Sequence, residues 1–248
     1  MPFTRPAGIS QHWRQRLRAL AGLADLAGRL PSQCAVCHAW PASRLCSACC
    51  ARFAQPLARC ATCACVVPDG VAQCGDCLLH PPPLDACLAA VCYGYPWDGI
   101  VGRFKFQADP GWAGALAALM RQAPGAQALL AHSDLVLPIP LSDQRLRQRG
   151  YNQALLLARR LGHPCVPAQV LLRTRDAQAQ SHLGRAQRLR NLRGAFMVDP
   201  LRVALVAGRR VLLVDDVMTT GATLHAAAAA LREAGARHIG ALVLARTP

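Results

Sequence analysis

No apolar run in the 248-residue chain approaches the about 18 residues that a membrane-spanning helix needs. The N-terminal segment also lacks the unbroken apolar core and cleavage site of a signal peptide. Membrane insertion is therefore not expected, and a cytoplasmic location is. Acidic residues are scarce, with Asp+Glu 13 against Lys+Arg 28 and a formal charge of +15. Lysine is scarce as well, because nearly all of that positive charge is arginine. Arginine's planar fork suits phosphates, so the balance points to a polyanionic partner while deciding nothing about fold. A codon bias that writes Arg for Lys accounts for the excess equally well.

Cysteine, by contrast, is abundant. Of the 13 cysteines, eight form four C-x-x-C pairs: Cys34/Cys37, Cys46/Cys49, Cys60/Cys63 and Cys74/Cys77. Two thiolates three residues apart on a tight turn bind one metal together, and two such knuckles complete a tetrahedral Cys₄ zinc site. The spacing argues for zinc in a reducing compartment rather than for a secreted disulfide scaffold. The sequential solution places Cys34, Cys37, Cys46 and Cys49 on one ion and Cys60, Cys63, Cys74 and Cys77 on the other. An interleaved arrangement, first pair with third, stays open. Cys50 and Cys65 read as bystanders, and a zinc offered four thiolates has no need of His38 or His80. Two closed zinc sites of this kind are structural and carry no catalysis.

Near the C-terminal end stands VLLVDDVMTTGATL, residues 211–224. Val211 to Val214 is a continuous β-branched and aliphatic run, which suits a strand buried on both faces. Asp215 and Asp216 follow where such a strand would end. Thr219, Thr220, Gly221, Ala222 and Thr223 then form a small, hydroxyl-rich turn before an Ala-rich helix from about Leu224 to Ala234. Strand, turn and helix N-terminus make an anion cradle, in which unpaired N–H groups point at a phosphate and threonine hydroxyls add donors. Gly221 allows close approach of the backbone and a positive φ if the turn requires one. Two carboxylates beside a phosphate cradle make sense if the ligand also carries hydroxyls or a divalent cation. A ribose 5-phosphate has both ends of that requirement.

The remaining elements alternate. A first strand is expected over Cys87–Tyr93, a short helix over Asp98–Gln107 and a longer one over Gly111–Ala131. A strand over Asp134–Pro140, a helix over Asn152–Leu161 and a strand near Val166–Leu172 follow. The core resumes at Val203–Val206, and the chain closes on a strand at Ile239–Leu244. Lys105 reads as a solvated surface residue, and Arg145, Arg147 and Arg149 as either a basic helix start facing water or a phosphate contact. From Arg173 to Arg193 the chain turns polar and basic, with Arg185 and Arg188 among its arginines and few aromatics on which a base could stack.

Residues 211–223 resemble the phosphoribosyl pyrophosphate (PRPP) motif of type I phosphoribosyltransferases. Together with the cysteine pairs and the stretch RLRQRGYNQA, the chain from about Cys34 to Arg246 resembles the ComF family of competence-associated, phosphoribosyltransferase-like proteins. The resemblance implies an α/β fold: a type I phosphoribosyltransferase-like parallel sheet flanked by helices, with an N-terminal cysteine-rich double zinc ribbon. Apolar residues at helical spacing (Trp13, Leu17, Leu20, Ala24, Ala27) give an amphipathic helix within 1–30, and the prolines after His80 give a Pro-rich linker at 81–86. The chain therefore divides into that helix, the ribbon at 31–80, the linker and the phosphoribosyltransferase-like domain at 87–248. The resemblance further implies that Asp215 and Asp216, the catalytic candidates, face the ribose hydroxyls directly or through magnesium. Val217 and Met218 complete the PRPP-binding segment, and residues 219–223 hold the 5-phosphate. Lys105, Arg145, Arg147, Arg149, Arg173, Arg185 and Arg188 are the candidates for pyrophosphate or DNA contacts, and 173–193 corresponds to a hood over the site. The loop after the second strand departs from the pattern, since Pro138-Ile139-Pro140-Leu141 carries no early basic residue. Thr219 stands where 6-oxopurine salvage enzymes carry an acid, which argues against that mechanism. Two functions follow: handling of single-stranded DNA with the uptake machinery during natural transformation, with PRPP or a ribose-5-phosphate nucleotide bound, or phosphoribosyl transfer to an unidentified nitrogen base.

Overall fold

The computed structural model describes residues 32–40, 42–163, 169–174 and 194–248. The expected N-terminal helix lies outside the described residues, as do Arg185, Arg188 and nearly all of the expected hood. Two compact units are distinguishable, one ending at Ser47 and the other running from Ala48 to Pro248. In the first, a turn over 35–37 is closed by paired amides and carbonyls of Ser32 and Ala42.

The elements, in chain order, begin with α1 (Ser47–Phe53) and α2 (Gly75–Leu79), short helices that carry Cys49 and Cys77. Next come β1 (Ala86–Cys92), α3 (Trp97–Phe106), α4 (Trp112–Gln122), α5 (Ala126–Ala131) and β2 (Leu135–Pro138). The single helix expected over 111–131 is thus two. Pro124 lacks an amide hydrogen, and Gly125 at φ +80° turns the chain between them. β2 stops at Pro138 because Pro140 follows so soon and cannot donate to a ladder. Then come α6 (Asp143–Arg149), N-capped by Ser142, and α7 (Gln153–Arg160), N-capped by Asn152. Gly150, at φ +76°, ends α6 and leads straight into the next cap.

β3 (Leu171–Arg173) and β4 (Phe196–Val198) form a separate antiparallel pair. Val203–Val206, expected only as a return to the core, is a short helix, α8, in which Val206 alone is buried. β5 (Arg210–Met218), α9 (Ala222–Glu233) and β6 (His238–Arg246) complete the chain. The main sheet has the order β1-β6-β5-β2, and all of its strands are parallel. Its central strands are buried on both faces: Val211 to Val214 and Ile239 to Ala245 are all buried. Among the described residues no helix is long and apolar enough to cross a membrane.

Candidate functional site

The sequence places the acid pair at a strand end, whereas the structure carries β5 four residues further. The two sides of that strand end differently. Toward β6 the ladder continues to Met218, opposite Arg246. Toward β2 its last paired residue is Val214, opposite Pro138, followed by a hydrogen bond from the Ile139 amide to the Val214 carbonyl. Asp215 and Asp216 therefore stand on a strand held on one side and open on the other, at the carboxyl edge of a parallel sheet. Ligands of open α/β sheets bind at that edge.

Asp216 is buried, and its Oδ1 lies 2.9 Å from Lys105 Nζ. Asp215 is half-buried, and its Oδ1 accepts the Asp216 amide at 2.8 Å. Burial and the neighbouring Asp216 carboxylate push Asp215 up to about 7, and Lys105 and Arg173 pull the other way. Arg149, also half-buried, is held below its ordinary range by burial despite the attraction of both acids. Its guanidinium lies 5.1 Å from the Phe106 ring centroid and donates to Gln153 Oε1 at 3.1 Å. Of the basic candidates, Lys105, Arg149 and Arg173 thus act on the acids. Arg145 is half-buried on α6, and Arg147 is exposed.

Beyond β5 the chain turns sharply into α9. Gly221 adopts φ +77° as the N-cap of α9. A Cβ there would come within 2.6 Å of Met218 Cε and 2.8 Å of His225 Nε2, so a side chain would displace both as well as strain the left-handed backbone. Thr219 is exposed, Thr220 and Thr223 are half-buried, and the Thr220 hydroxyl accepts the Ala222 amide at 3.4 Å. Val217 is half-buried on the strand, and Met218 packs beneath the turn. The arrangement can hold an anion at the helix end and hydroxyl groups at the acids.

The cysteines separate into the two sequential groups. Within Cys34, Cys37, Cys46 and Cys49, and within Cys60, Cys63, Cys74 and Cys77, the sulfurs all lie within 4.8 Å of one another. The Cys37–Cys46 and Cys63–Cys74 separations are 3.7 Å. A tetrahedron with 2.3 Å zinc–sulfur bonds has edges of about 3.8 Å, so each donor set suits one zinc. Burial pushes the Cys34 and Cys60 thiols up, but surrounding amides more than offset it and hold both at about 6, toward the thiolate that zinc needs. His38, His80 and Cys50 lie outside both groups. Cys65 does too, although its sulfur is 3.3 Å from that of Cys63.

Several contributors were not legible as such. Arg246 donates from Nε to the Cys63 carbonyl at 2.9 Å and from Nη1 to the Met218 carbonyl at 3.4 Å. Cys87 donates its amide to the Ala61 carbonyl at 2.7 Å and its thiol to Met218 Sδ at 3.7 Å. Tyr151 donates its hydroxyl to the Phe104 carbonyl. Nothing in the spacing of these residues marks them, because each acts through a neighbour distant in sequence.

Residues 147–248 match the phosphoribosyl transferase domain family. The chain is 32% identical over 213 residues to the DNA utilization protein YhgH of Salmonella typhimurium, covering 82% of this chain and 90% of that protein. It is 33% identical over 181 residues to competence protein F of Haemophilus influenzae, covering 70% and 78%. Against competence protein ComFC of Bacillus subtilis it is 37% identical over 101 residues, covering 41% and 39%.

Proposed function

The chain belongs to the ComF family, and on that premise we propose that it binds PRPP, or a ribose-5-phosphate nucleotide, and handles single-stranded DNA during natural transformation. One observation carries the ligand: the half-open strand that bears Asp215 and Asp216 runs directly into a turn whose Gly221 holds the left-handed φ of +77°. The DNA part draws on the competence and DNA-utilisation names of the relatives and on the +15 charge.

The intact acid pair favours a second reading, transfer of phosphoribose to a nitrogen base. Cleavage at ribose C1 builds positive charge on the ring and negative charge on pyrophosphate, so the protein's work is electrostatic and positional. Asp215 and Asp216 accept the ribose hydroxyls and face the cationic ring, the first turn of α9 holds the 5-phosphate, and Lys105 and Arg149 set the field around the acids. The carboxylate and ligand oxygens suit magnesium, which would neutralise pyrophosphate when bound.

Combining Asp215→Asn with Asp216→Asn is expected to abolish PRPP binding in a calorimeter while leaving affinity for labelled single-stranded DNA largely intact. That DNA affinity should fall steeply with salt, because phosphate contacts release counterions. An affinity flat from low to high salt removes the DNA reading. Pyrophosphate release from PRPP across a panel of bases selects the transferase instead.

A further inference from the structure

Lys105 is the chain's sole lysine; the other 27 of its 28 Lys+Arg residues are arginine. A bias that writes arginine nearly everywhere has left one ammonium, and that ammonium sits 2.9 Å from Asp216 Oδ1. Only 18% of the Lys105 side chain and 8% of the Asp216 side chain are exposed, so the pair is largely withdrawn from water. The two cations differ in kind. Guanidinium is a broad planar fork, whereas ammonium is a compact point charge with three donors, closer in shape to a metal ion.

The position of Lys105 is over-determined by a second stretch of sequence. It lies in the last turn of α3, between Phe104, which is fully buried, and Phe106, which is exposed. Tyr151 donates its hydroxyl to the Phe104 carbonyl, and its ring lies 5.8 Å from that of Phe104. Arg149 stacks on Phe106 while tied to Gln153. The Arg149–Gln153 segment therefore grips both neighbours of Lys105, which fixes the helix end that presents it.

We propose that Lys105 is the resident counter-cation of the acid pair: it occupies Asp216 so that the carboxylates hold no free divalent cation and receive instead the hydroxyls of a phosphoribosyl ligand that brings its own metal. The identity of that ligand rests on the reading above, whereas the exclusion of the cation does not. The buried Asp216 carboxylate at a sheet edge, with the Asp215 charge beside it, would otherwise attract a hard divalent ion. An ammonium already in place neutralises that carboxylate and competes for its oxygens. Tyr151 is then a positioning residue, acting through the Phe104 carbonyl.

The test is Mn²⁺ binding to the zinc-loaded protein in the absence of ligand, followed by electron paramagnetic resonance. Wild-type protein is expected to show no site tighter than millimolar, and Lys105→Met to bind Mn²⁺ at least tenfold tighter. Lys105→Arg should exclude Mn²⁺ as wild type does, because it restores the charge, yet bind PRPP several-fold more weakly because the fork does not fit. Should Lys105→Met fail to fold, Tyr151→Phe, which removes one hydroxyl, is expected to raise Mn²⁺ affinity by a smaller factor. Tight Mn²⁺ binding by wild type, or unchanged Mn²⁺ affinity in folded Lys105→Met or Tyr151→Phe, overturns the proposal. A parallel PRPP titration of wild type separates the two ideas: no PRPP binding with the Mn²⁺ result intact sinks the phosphoribosyl reading alone.

Discussion

Asp215 sits half-buried beside Asp216, and burial together with that neighbour pushes it up to about 7. An acid whose folded value exceeds its ordinary one of 3.8 contributes stability that is complete below that ordinary value and is lost as pH rises through about 7. Asp215→Asn should therefore stabilise the ligand-free protein by on the order of 1 kcal/mol at pH 8, with the gain vanishing near pH 4. Denaturant unfolding at both pH values checks this, and an equal gain at both would disprove the cause. At Gly221 the consequence is steric. Gly221→Ala places a methyl at φ +77° and within 2.6 Å of Met218 Cε, so it should cost about 1–3 kcal/mol and eliminate PRPP binding. Calorimetry and unfolding curves read both. Gly221 was legible as a backbone requirement because only glycine serves there. Lys105 was legible only through the family resemblance, as a candidate phosphate contact; by its own surroundings it reads as surface, and only folding brings Asp216 to it.

Among the elements, β5 was the most legible, since Val211 to Val214 is apolar without alternation and both its faces are covered. Leu213→Ala removes a fully buried side chain from that strand and is expected to cost about 2–5 kcal/mol, measured by denaturant unfolding. The strand's true end was hidden. Polar Asp215 and Asp216 suggested termination, but backbone pairing with β6 carries the strand to Met218. Propensity also missed the break at Pro124-Gly125, because the alanines and leucines on either side continue the same helical pattern.

On the scale of the whole unit from Ala48 to Pro248, the second cysteine group and the turn at Gly221 belong to one core. Cys60, Cys63, Cys77, Cys87, Met218 and Ala222 lie in the same buried cluster. Arg246 bonds both the Cys63 and Met218 carbonyls, and Met218 lies where a Gly221 side chain would be. Stripping metal from Cys60, Cys63, Cys74 and Cys77 is therefore expected to weaken PRPP binding several-fold. By reciprocity, PRPP should tighten zinc binding by that group and not by Cys34, Cys37, Cys46 and Cys49. Equilibrium competition with a chromophoric chelator, with and without PRPP, distinguishes the two groups. Equal zinc affinity in both conditions would show that the ribbon does not sense the turn.

The amino-acid sequence by itself determined what depends on near neighbours in the chain: the paired-cysteine knuckles, the buried motif strand, the glycine turn and the helix after it. Each follows from spacing, from side-chain volume or from a backbone angle that few residues tolerate. Which cation meets Asp216, where β2 leaves β5 uncovered, and how a cysteine knuckle reaches Met218 were decided only in three dimensions. Those contacts join residues dozens to well over a hundred positions apart, and nothing local in the chain encodes a meeting that packing alone brings about.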